Sequence, residues 1–159
     1  MEDFTNYKKP SMFISFPSCT FKCEKDCGVR CCQNSALAQA PDIETSTIDI
    51  VNRYLQNPIT KSIVMGGLEP FDSWDDLKLL ICRFREKTDD DIVIYTGYTE
   101  DELDYKCHED YIESKIEWLQ KHKNIIVKFG RFKPNEEKHY DNELGVFLAS
   151  SNQYARRIS

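Results

Sequence analysis

Five of the seven cysteines in this 159-residue chain fall within fourteen residues, at Cys19, Cys23, Cys27, Cys31 and Cys32. In a reducing compartment, thiols clustered this densely point to metal ligation or catalysis rather than disulfides, and the odd total agrees. About thirty residues further on comes Gly66-Gly67-Leu68-Glu69-Pro70, a turn whose glycines let backbone approach a ligand without a Cβ in the way. These two segments set what the rest of the chain must position.

Length and charge bound the remainder. With 40% apolar side chains the chain can bury one ordinary core, and residues 1–159 are expected to form a single domain. The net charge of −6 comes from interleaved acids and bases with no long basic block, so nucleic acid is not an expected partner. No run reaches the roughly 18 apolar residues of a membrane span, and residues 1–10 are not signal-like; a cytoplasmic protein with no membrane partner is expected.

Met12 to Phe16 reads as a first strand, stopped by Pro17 and leading directly into the cysteines. Ser46 with Asp49 predicts a helix cap, followed by Ile48, Val51 and Leu55 on one face until Asn57-Pro58. Ser62 to Met65 is a second strand, and Trp74, Leu77, Ile81 and Phe84 mark a helix capped by Asp72 or Ser73. Ile92 to Tyr95 is a third strand. Thr99 and Glu102 form a capping box for a helix that continues over 111–121 with Ile112, Ile116 and Leu119 inward. Strands over 124–129 and 144–149 complete the set, with 133–143 as the one long loop. Strands alternating with helices imply right-handed βαβ units and an α/β fold with a mainly parallel sheet. Five strands are too few for an eight-stranded barrel, so a partial, open βα barrel is expected. Ligands of such sheets gather at the carboxyl ends of the strands, where the cysteine loop 17–35 and the turn 66–70 both lie.

A cubane iron-sulfur cluster needs several thiolates from one flexible loop, and three of them leave an iron open for a ligand. The alternative is a zinc-stapled, non-catalytic binding module, for which five cysteines without a Cys-x-x-Cys knuckle are a poor match. Glu69 offers a carboxylate beside main-chain carbonyls, suited to an ammonium group, and Pro70 sets the exit; the alternative is an ordinary tight turn. Tyr95-Thr96-Gly97-Tyr98 offers hydroxyls and aromatic surface at the next strand end, suited to an adenosine or to core. Lys128 interrupts Ile125-Ile126-Val127 and points either into the same cavity, toward a carboxylate, or to solvent from an edge strand. Cys82 reads as a small buried hydrophobe, Cys107-His108 as surface, and His122 and His139 as exposed without a role.

On these residues the chain resembles the radical S-adenosylmethionine superfamily, and within it the activating proteins of anaerobic (class III) ribonucleoside-triphosphate reductases. Cys19-x-x-x-Cys23 followed by Cys32-Gln33-Asn34 resembles the cluster motif, Gly66 to Pro70 the methionine-binding turn, and Ile94 to Tyr98 the third strand. Gly130-Arg131-Phe132 and Ser150-Ser151-Asn152-Gln153 are similar to segments near the end of these activases. The family spacing is Cys-x3-Cys-x2-Cys, whereas here eight residues separate Cys23 from Cys32. Cys32 is the expected third ligand because Gln33-Asn34 follows it, with Cys27 as the alternative and Cys31 also in the segment.

The resemblance implies a radical S-adenosylmethionine fold with a 4Fe-4S cluster on Cys19, Cys23 and Cys32. It implies S-adenosylmethionine on Gly66, Gly67, Leu68, Glu69 and Pro70, flanked by Thr96 and Lys128. Reductive cleavage to a 5′-deoxyadenosyl radical would then install a glycyl radical on the partner reductase, with flavodoxin or ferredoxin as electron donor. Another glycyl-radical enzyme or a small molecule is the alternative target.

Overall fold

The computed structural model describes residues 1–105 and 113–159, so Cys107-His108 and the start of the predicted 111–121 helix lie outside the described residues. The chain runs β1 (Glu2–Asp3), β2 (Ser11–Phe16), α1 (Lys22–Cys27), α2 (Ser35–Ala38), α3 (Thr47–Gln56) and β3 (Ser62–Gly67). A 3-10 turn (Pro70–Ser73), α4 (Trp74–Arg85), β4 (Asp91–Tyr95), α5 (Glu100–Leu103), α6 (Lys115–Gln120) and β5 (Ile125–Phe129) follow. The last strands are β6 (His139–Asp141), β7 (Val146–Leu148) and β8 (Tyr154–Arg157).

Strands β2, β3, β4 and β5 pair in parallel in the order in which they occur, and β1 and β8 add antiparallel edges. The register aligns Met12, Ile63, Ile92 and Ile125 in one row and Phe13, Val64, Val93 and Ile126 in the next. Because side chains alternate along a strand, these rows face opposite ways. The first face packs against Val51 and Tyr54 of α3, Leu77, Ile81 and Phe84 of α4, and Leu119 of α6. Tyr7, Leu144 and Leu148 cover the second. With both faces covered, a parallel strand reads as one unbroken apolar run, as Ile63-Val64-Met65 does. Burying each such side chain contributes about 1.5–3 kcal/mol.

The mixed α/β class and the mainly parallel sheet agree with the sequence expectation, with three differences. Residues 144–149 do not join the sheet; β7 pairs with β6 in a separate hairpin that caps the second face, and β6 falls inside the expected loop 133–143. Strand β8 takes the edge instead. It had no apolar signal because Arg156 and Arg157 are exposed there, an arrangement that discourages further pairing. The capping box of Thr99 and Glu102 is present, yet it opens only the four residues of α5, and α6 has a box of its own from Ser114 and Glu117.

Smaller shifts occur within elements. Ser46 caps α3 by accepting from the Asp49 amide, but Ile48 and Leu55 are exposed and Tyr54 joins Val51 on the buried face. Cys82, His122 and His139 are each half-buried. No helix among the described residues is long and apolar enough to cross a membrane.

Candidate functional site

At the carboxyl end of β2 the chain leaves the sheet and enters α1 through Phe21, whose φ of 52° is left-handed; Gly28, at φ 72°, ends the helix. Neither α1 nor α2 buries a residue, so this segment is held by polar ties rather than by core. The Thr20 amide donates to Asp72 (2.8 Å), the Cys32 amide to Glu24 (3.1 Å), and the Asn34 side chain to the Gly67 carbonyl (2.5 Å). Arg131 reaches Asp26 of α1 and Glu102 of α5.

Burial pushes the Cys19 thiol up to about 11, against the Phe21 amide that donates to its sulfur at 3.2 Å. Burial also raises Cys23, and it raises Cys31 to about 12. In the absence of a metal burial favours the protonated thiols, and a bound metal would invert this preference and draw off the protons of the sulfurs it binds.

The second wall is the turn after β3. A Cβ on Gly66 would lie 3.2 Å from the Tyr95 Cβ and 3.4 Å from the Phe13 ring, and Gly67 holds φ 84° with Leu37 and Ser15 close by. Glycine is therefore required here by close packing and by backbone hand. Glu69 is buried, and its carboxylate accepts from the Phe71 amide (3.1 Å), the Thr96 hydroxyl (2.8 Å) and the Gly97 amide (2.8 Å). Burial raises its pKa while those three donors oppose the rise. The Glu69 amide also donates to the Ser18 carbonyl at 2.8 Å. Glu69 thus latches the ends of β2, β3 and β4 together, with its oxygens already engaged.

Lys128 lies on the inner strand β5, which overturns the reading of a solvent-facing edge residue. It is 6% exposed, lies over the Tyr95 ring at 5.9 Å, and donates to the carbonyls of Gly130 (2.8 Å) and Thr96 (3.5 Å). Among the described residues it makes no ion pair within 4.0 Å. Burial lowers it to about 8, against the pull of Glu69.

One cavity of about 280 Å³ unites these parts: Cys19, Cys23, Cys31 and Cys32 line it together with Gly67, Leu68, Glu69, Thr96 and Lys128. Gly66 sits beneath it, packed between Phe13 and Tyr95, and Pro70 is buried at the start of the 3-10 turn. Cys27 lies instead on an adjoining groove of about 670 Å³, which Cys23 also lines. Cys82 is away on α4. Two further side chains shape the site. Asp72 reads as a helix cap yet accepts from Thr20 and, at 2.6 Å, from the Tyr98 hydroxyl. Gln153, in the Ser150-Ser151-Asn152-Gln153 segment just before β8, donates to the Gly130 carbonyl at 3.1 Å on the cavity lining.

Among the described residues no three His, Cys, Asp or Glu side chains are gathered into a single-ion site. The cavity lining does supply enough soft sulfur donors from one loop for an iron-sulfur cluster, without requiring every thiol there to be a ligand. A family model described as a 4Fe-4S single cluster domain matches residues 10–155. No curated protein and no solved structure matches the chain.

Proposed function

From the premise that this chain belongs to the 4Fe-4S single cluster domain family, we propose that it is a radical S-adenosylmethionine activase that installs a glycyl radical on an anaerobic ribonucleotide reductase. The observation carrying the reading is the cavity into which the cysteine loop, the Gly67-Leu68-Glu69 turn, Thr96 and buried Lys128 all open. Thiols alone would serve electron transfer. A glycine-walled space beside them, with a lysine free of any ion pair among the described residues, suits a cofactor bearing a carboxylate.

Cys19, Cys23 and Cys32 would hold the cluster. Cys32 is preferred to Cys27 because Cys32 lines the cavity with Cys19 and Cys23, whereas Cys27 lines only the adjoining groove, which Cys23 also reaches. When bound, the cluster supplies the electron that reductively cleaves S-adenosylmethionine to methionine and a 5′-deoxyadenosyl radical. The chain's own residues do the positioning. Gly66 and Gly67 let main chain approach the methionine end, and the Glu69 latch keeps the turn rigid against Thr96 and Gly97. Lys128, on the wall of this cavity, would pair with the methionine carboxylate. The sequential order of the parallel strands is compatible with a partial barrel, whose open side would admit a glycine loop from a large partner.

Anaerobic reconstitution with iron and sulfide, chemical reduction and assay for 5′-deoxyadenosine test the chemistry; cluster-loaded protein that leaves S-adenosylmethionine intact defeats the proposal. Mixing with the reductase and recording a glycyl-radical signal by electron paramagnetic resonance tests the partner, and flavodoxin or ferredoxin can replace the chemical reductant.

A further inference from the structure

We infer that Cys27 and Cys31 form a reversible dithiol–disulfide pair, a modification site distinct from the cluster thiols. This rests on the ligand assignment above only in that it leaves these two sulfurs unligated. Cys27 is the last residue of α1, and Gly28 turns the chain back in a left-handed conformation that returns Cys31 to it. Their sulfurs stand 3.0 Å apart, the one sulfur–sulfur contact of hydrogen-bond length among the described residues. Their other hydrogen-bond acceptors are backbone carbonyls: Val29 at 3.3 Å and Glu24 at 3.8 Å from Cys27, and Cys23 at 3.8 Å from Cys31.

A disulfide is about 2.05 Å long, so closing the bond takes an approach of about 1 Å. The intervening Gly28, Val29 and Arg30 are exposed, and a Cβ on Gly28 would meet nothing within 4 Å, so this turn is free to yield. The two sulfurs also open to different spaces. Cys27 lines the groove and Cys31 the cavity, so a small disulfide in the groove reaches Cys27.

The chemistry is thiol–disulfide exchange. The Cys27 thiolate attacks a small-molecule disulfide such as oxidised glutathione, forming a mixed disulfide and expelling one small thiol. Cys31, having given up its proton, then attacks the Cys27 sulfur and expels the second. Two electrons pass from the protein thiols to the small-molecule disulfide, and the two protons end on the released thiols. Closing this ring immediately before Cys32 couples the redox state of the surroundings to the spacing of the cluster ligands.

The test uses reconstituted, iron-loaded protein, wild type and Cys27→Ser, incubated anaerobically with oxidised glutathione, alkylated, digested and mapped by mass spectrometry. Wild type is expected to lose two alkylation sites to a Cys27–Cys31 cross-link that dithiothreitol reverses, while Cys27→Ser keeps its iron and forms no internal cross-link. Absence of the cross-link in wild type, a cross-link between other cysteines, or loss of iron from Cys27→Ser overturns the inference. A mapped cross-link in protein that cannot cleave S-adenosylmethionine would leave this inference standing and remove the proposed function, and cleavage without a cross-link would do the reverse.

Discussion

The two ends of the central sheet treat buried charge in opposite ways. At the amino ends, Asp91 accepts from Lys9 (2.5 Å), the Tyr7 hydroxyl (2.9 Å) and Arg157 (3.1 Å). Burial alone would raise Asp91, but these three donors outweigh it and hold the carboxyl below its usual range. At the carboxyl ends Lys128 is as deeply buried but has only carbonyls and a ring for company, and its pKa falls to about 8. A closed charge cluster serves folding. A buried cation without a matched anion, placed on a cavity wall, is more costly to keep and is characteristic of a binding site.

The cysteine side of the cavity offers the largest expected break. Cys19→Ala or Cys23→Ala is expected to abolish cluster binding, and Cys82→Ala to leave it intact, by iron and sulfide analysis of anaerobically purified protein. Equal cluster content in all three would sink the ligand assignment. Next, Lys128→Met is expected to weaken S-adenosylmethionine binding about 10- to 100-fold by calorimetry, the loss of about 1.5–3 kcal/mol for a charge-assisted hydrogen bond.

The same variant carries a pH signature. Between about 8 and the ordinary lysine value, the unfolded chain holds a proton that folded Lys128 has released, so stability rises with pH across that window. Lys128→Met should erase this rise in denaturant titrations; an unchanged slope would mean that Lys128 is not the group responsible.

The opposite end should also gain stability as pH rises, but in the carboxylate window rather than the lysine one. Asp91→Asn is expected to cost about 2 kcal/mol at neutral pH, discounted because Lys9 and Arg157 are partly exposed. Because the folded Asp91 pKa is depressed, its contribution is present above the unfolded value and is lost as pH falls through the folded one. The gap between wild type and variant should therefore narrow on acidification. Gly67→Ala should cost at least about 1–2 kcal/mol through its left-handed φ, with the close approach of its Cβ to Leu37 and Ser15 adding to this, seen as a shifted denaturation midpoint.

Much of this contrast could be read along the chain. The parallel core was legible because Ile63-Val64-Met65 and Ile92-Val93-Ile94 are apolar on both faces, and the Ser46 and Thr99 caps because a hydroxyl three residues before an acid is a local signal. The site's two poles, clustered thiols and a glycine turn, were legible as residue types. Strand β8 was not, because an edge strand with arginines outward has no apolar period, and neither was the swap of residues 144–149 into a separate hairpin. The engagement of Glu69 was hidden too: a carboxylate in a turn looks free until Thr96 and Gly97, from the neighbouring strand end, are brought to it.

What the sequence determined by itself is local: strand and helix type, the caps, the density of thiols and the need for glycine at a bend, all set by neighbours within a few residues. What the tertiary structure alone decided is which distant groups meet: Cys32 on the cavity and Cys27 on the groove, Cys31 against Cys27, Lys128 turned inward and Asp91 matched at the far end. The reason is physical. Burial and charge matching depend on which strands lie side by side, and that register is fixed by packing the whole sheet at once, not by any single segment.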